Sequence, residues 1–109
     1  MSHADESPLT STMADEVDFH PLLHTYAELL RDSLALLEAA DPGANDEQVR
    51  KTAHDLKGSG GAYGFDPITD TGAQLETSLR TGAGRTEVDE QITTLCSLLR
   101  RAIRGIEEL

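Results

Sequence analysis

From Phe19 onward, apolar positions recur at helical spacing in four segments separated by chain breakers, and no alternating strand pattern competes. In the first segment Leu23, Ala27, Leu30, Leu34 and Leu37 form one row, beside a second row of Leu22, Tyr26, Leu29 and Leu36. A stripe that wide is expected to face a core. His20-Pro21 suits a helix start, because a first-turn proline lacks only an amide that would be unpaired anyway. Asp41-Pro42-Gly43 stops that helix. Asn45, with Gln48 three residues on, then reads as a capping residue for a second helix whose inner side carries Val49, Ala53, Leu56 and Gly60. Asp66-Pro67 opens a third helix, with Ile68, Gly72, Leu75 and Leu79 on its apolar side, and Gly82 and Gly84 interrupt it. Thr86-Glu87-Val88-Asp89 matches a capping box for a fourth, along which Val88, Ile92, Leu95, Leu99, Ala102 and Ile106 keep a regular row. Four amphipathic helices with short connections predict an all-α fold, an antiparallel up-down-up-down four-helix bundle.

Residues 1–18 differ from the rest. They hold Asp5, Glu6, Asp15, Glu16 and Asp18, no Lys or Arg, and scattered apolar residues, so they are expected to form a flexible, disordered acidic arm, with the bundle occupying 19–109. The whole chain has 109 residues, 20 acids and 9 Lys+Arg, for a formal net charge of −11. This is one domain. That charge argues against nucleic-acid partners, which need a basic footprint. No apolar run reaches the roughly 20 residues that span a bilayer, and no signal-like N-terminus is present, so no membrane association is expected. A single cysteine, Cys96, excludes an internal disulfide, fits a cytoplasmic location and reads as core filler.

One stretch does not fit a merely structural bundle: Thr52 to Phe65, with glycines at 58, 60, 61 and 64. Inside a helix each costs up to roughly 1 kcal/mol relative to alanine. Residues 58–65 are compatible with a continued helix or with a loop before Asp66. Small residues on a surface let another backbone come near. On a helix, His54, Lys57, Gly58 and Gly61 fall at i, i+3, i+4 and i+7 and share one outward face, which Arg50 and Lys51 extend with positive charge. His54 is the best nucleophile in the chain, since a solvent-facing neutral imidazole keeps a free lone pair. Taken singly, Arg50, Lys51 and Lys57 also read as ordinary solvated helix charges. His20 and His24 stand at i, i+4, the spacing of a metal pair, without an evident third ligand.

The segment Ala53-His54-Asp55-Leu56-Lys57-Gly58-Ser59 resembles the signature of histidine-containing phosphotransfer (HPt) domains. The resemblance continues through Gly64 and the Leu75-Glu76 pair and covers residues 19–109. Gly60, where a small Ser or Ala is usual, and Phe65, where Ala is frequent, depart from the pattern. The resemblance implies that His54 accepts a phosphoryl group on a ring nitrogen and exchanges it with an aspartate of a response-regulator receiver domain, downstream of a sensor or hybrid histidine kinase. It implies that Glu76 accepts a hydrogen bond from Nδ1 and leaves Nε2 to attack, and that Lys57 faces the phosphoryl oxygens. Taken alone, Glu76 equally fits an exposed acid after a core leucine. The small residue at Gly58 gives the partner room. No cofactor or metal is expected on this chain, the Mg²⁺ of such relays belonging to the receiver. The expected product is a free-standing monomeric carrier without autonomous kinase activity. A helical adaptor that binds receivers without transfer is the alternative.

Overall fold

The computed structural model describes residues 7–41 and 43–109; the first six residues of the expected arm, and Pro42 of the expected turn, lie outside the described residues. The described residues form four α-helices, α1 His20–Glu38, α2 Asp46–Gly60, α3 Asp66–Thr81 and α4 Arg85–Glu107, with short 3-10 turns at Val17–Phe19 and Gly61–Tyr63 and no strand among them. α2 packs on α3, α3 on α4 and α4 on α1, while α1 touches α2 lightly. Two cross-links tie α1 to α4: Arg31 to Glu107 (2.9 Å) and Glu38 to Arg100 (3.0 Å). Their order reverses between the two helices. The inward rows meet in one core that includes Leu23, Leu30, Val49, Leu56, Ile68, Leu75, Leu95, Leu99 and Ile106.

The second row of α1 is split. Tyr26 is buried, stacks on Tyr63 at 4.1 Å and bonds Ser59 Oγ through its hydroxyl (2.9 Å), yet Leu22 and Leu29 on either side are 51% and 45% exposed. The wide stripe therefore covers more than the bundle buries, because α1 touches α2 only lightly.

The helix starts also differ from expectation. Asn45 stands at the cap position of α2 but its side chain makes no cap bond; Oδ1 accepts the Asp41 amide, and Asp46 Oδ1 accepts the Gly43 amide, closing the preceding turn. α3 begins at Asp66 behind Phe65, and α4 begins at Arg85 behind Gly84, neither with a side-chain cap. Of the expected capping box, Asp89 lies beside Arg85 (3.6 Å), and Glu87 accepts from Ser78 Oγ of α3 (3.1 Å). The side chains at these starts are taken by the preceding turn or, for Glu87, by the neighbouring helix. The glycine-rich stretch stays helical to Gly60 and tightens into the 3-10 turn. It ends where Gly64 takes a left-handed conformation (φ 86°), with Phe65 N–H bonding Gly60 C=O and Gly64 N–H bonding Gly61 C=O.

The expectation of a free arm does not hold for its described part. Residues 7–14 lie along the bundle: Leu9 N–H bonds Arg101 C=O (2.9 Å), Ser11 Oγ donates to Tyr63 C=O (2.6 Å), and Thr12 N–H bonds Gly64 C=O (3.0 Å). His20 Nε2–H donates to Ala14 C=O (2.6 Å) and pins the far end. Composition suggested disorder because few apolar groups are available, but here backbone groups and one buried hydroxyl, Ser11, carry the contact. Gly105 makes the seat, since a Cβ there would collide with the Leu9 carbonyl. Gly105→Ala is therefore expected to speed hydrogen exchange at the Leu9 amide while α4 remains helical, alanine favouring a helix by about 1 kcal/mol. Exchange by NMR beside far-UV circular dichroism checks this.

Candidate functional site

Two glycines decide how α2 and α3 meet. A Cβ at Gly72 would lie 3.0 Å from Ala53 O and 3.1 Å from Lys57 N, and a Cβ at Gly60 would lie 2.8 Å from Thr69 N. Without those side chains the two backbones approach closely. One turn beyond Gly72, Glu76 then reaches across to α2 although its side chain is only 7% exposed. An anion so placed needs partners. It has three: Lys57 Nζ at 2.9 Å on Oε1, His54 Nδ1 at 2.7 Å on Oε2, and Arg50 Nη1 at 3.8 Å on Oε2. The hydrogen bond from Lys57, and then that from His54, hold the Glu76 carboxyl below the usual carboxylate range against the opposing effect of burial.

An ionised Glu76 can only accept, so His54 Nδ1 carries a proton in this pair, and in the neutral ring the lone pair is then on Nε2. The ring is 59% exposed, and among the described residues no group bonds Nε2. One carboxylate thus orients an imidazole through its inner nitrogen and holds an ammonium beside it. Such a ring is presented as a nucleophile with its tautomer fixed by the anion behind it.

The sequence-derived candidates separate as follows. His54, Lys57 and Glu76 come together. Arg50 joins them at longer range, its guanidinium engaged mainly by Glu47 (Nε to Oε1, 3.1 Å). Lys51 is exposed on α2, and Gly58 is exposed with nothing within 4 Å of where a Cβ would stand. Gly61 is different. It is turned toward α3, its amide bonds Thr69 Oγ1 and a Cβ would lie 3.3 Å from Asp66 Oδ1, so it belongs to the helix contact more than to the open face. His20 bonds Ala14, and no group of three metal-ligating side chains is found among the described residues. Thr69 was missed. Its signal was its place on α3 at i, i+3 and i+7 with Gly72 and Glu76, opposite the glycines of α2.

The family model of the Hpt domain matches residues 21–108. Comparison with curated proteins and with solved structures gives no match.

Because Glu76 has a lower pKa folded than unfolded, its bridge stabilises the protein above the ordinary carboxylate range, and that contribution disappears as pH falls through the depressed folded value. Urea unfolding midpoints followed into acid should fall more steeply for the native chain than for Glu76→Gln across that window; parallel curves would contradict the linkage.

Proposed function

This chain belongs to the Hpt domain family, and from that premise we propose that it carries a phosphoryl group on Nε2 of His54 and exchanges it with the aspartate of a response-regulator receiver domain. Hpt domains take part in histidine phosphotransfer in two-component signalling, where they interact with receiver domains and histidine kinases. Among the described residues no helix is long and apolar enough to cross a membrane. The observation that carries the finer reading is the His54 ring itself, held by Glu76 at Nδ1 and exposed on its other side.

In the proposed exchange the Nε2 lone pair attacks the phosphorus of an aspartyl phosphate. The N–P bond forms as the P–O bond to the aspartate breaks, and that electron pair leaves on the receiver carboxylate. The ring then bears both the phosphoryl group and the Nδ1 proton, and its positive charge faces Glu76. Lys57, held beside the ring by the same carboxylate, supplies a positive charge for the phosphoryl oxygens. Transfer in the other direction retraces these steps. The receiver is proposed to approach over Gly58, where the α2 backbone is bare, with Arg50 and Lys51 at the rim and Leu22 and Leu29 of α1 offering apolar contact.

Incubation with a phosphorylated receiver should give an acid-labile, alkali-stable label that His54→Gln abolishes. Receiver binding without label would support the adaptor instead. Glu76→Ala should slow labelling without removing it. Gly58→Leu should leave the helical circular dichroism intact, since space is open at Gly58 and leucine favours a helix by up to about 1 kcal/mol over glycine, yet block receiver-dependent transfer. Unchanged transfer in that variant would refute the docking face.

A further inference from the structure

At the C-terminal end of α2 one side chain of α3 enters the backbone ladder. Thr69 Oγ1 accepts the Gly61 N–H (2.7 Å) and donates to the Lys57 C=O (2.9 Å). In an uninterrupted helix those two backbone groups are each other's i, i+4 partners; here a hydroxyl is inserted between them, and the α-helix gives way to the 3-10 turn at Gly61. The insertion needs Gly60, because a Cβ there would stand 2.8 Å from both Thr69 N and Thr69 Oγ1. The same face of α3 therefore grips α2 twice. Glu76 holds the side chains of His54 and Lys57, and Thr69 holds the main chain of the turn that begins at Lys57 and includes Gly58.

We propose that Thr69 is a positioning residue for phosphoryl exchange at His54: its hydroxyl, spliced between Lys57 C=O and Gly61 N–H, sets the orientation of the bare Gly58 turn toward the receiver. The proposal rests on the phosphotransfer reading above. Thr69 makes no hydrogen bond to the His54 ring, which is oriented from Nδ1 by Glu76. Its effect falls on exchange that requires a docked protein and spares attack on a small donor.

Two phosphoryl donors separate these effects. With phosphoramidate, Nε2 bonds phosphorus as the P–N bond breaks and ammonia departs, with no docking surface involved; with a phosphorylated receiver, docking is required. Thr69→Val removes the hydroxyl and keeps the branched shape. It is expected to label from phosphoramidate at the native rate and to exchange with the receiver about tenfold more slowly, since both hydroxyl hydrogen bonds that hold the turn are lost. Thr69→Ser should restore receiver exchange, and the Gly61 amide should exchange its hydrogen faster in Thr69→Val but not in Thr69→Ser. Native receiver exchange in Thr69→Val, or equal losses with both donors, overturns the proposal. A native chain that takes label from neither donor overturns the phosphotransfer reading and this inference together, and is recognised because the failure lies in the unsubstituted protein.

Discussion

The close approach of α2 and α3 is the constraint on which the site depends. Gly60 and Gly72 permit it by having nothing beyond Cα to place between the helices. Each glycine weakens its own helix by up to roughly 1 kcal/mol, and the return is geometric: Glu76, rooted on α3, bonds two residues a turn apart on α2. At ordinary helix separation the same carboxylate would meet solvent and the ring would turn freely. A backbone contact thereby becomes control over which nitrogen of one imidazole is available.

Charge is arranged on the same principle. The chain carries a formal net charge of −11, yet the surroundings of His54 contain Arg50, Lys51 and Lys57, and the one buried acid among them is matched by cations. Those cations favour the ionised carboxyl against the effect of burial, and an ionised carboxyl accepts the hydrogen bond from Nδ1. Lys57 therefore acts on His54 indirectly, by keeping Glu76 ionised, as well as through its own charge.

What was legible in the sequence follows the range of each interaction. The four helices, the inner rows Val49-Ala53-Leu56 and Leu95-Leu99-Ala102, and the outward face shared by His54, Lys57 and Gly58 follow from periodicity within a single helix, and these features recur in the structure. Glu76 came from family resemblance, because nothing within α3 says which helix it meets. The caps expected at Asn45 and Thr86 do not form, since Asn45 is taken up by the preceding turn and the cap position of α4 is Gly84, two residues earlier. Gly61 was assigned to the open face by helical phase, whereas the 3-10 turn rotates it toward Asp66 and Thr69. Thr69 and the seat of residues 7–14 depend on contacts between distant segments, which a local pattern does not encode.

The seat of the N-terminal segment has a kinetic consequence. Arg101 Nε reaches the Ser7 carbonyl across 94 positions of sequence, and the neighbouring Leu9 amide bonds the carbonyl of the same arginine. This surface exists only once α4 and the turn at Gly61–Gly64 are in place. A segment held mainly by a few such bonds, on a surface made by other elements, is the kind of unit that opens and closes while the helices beneath it remain intact.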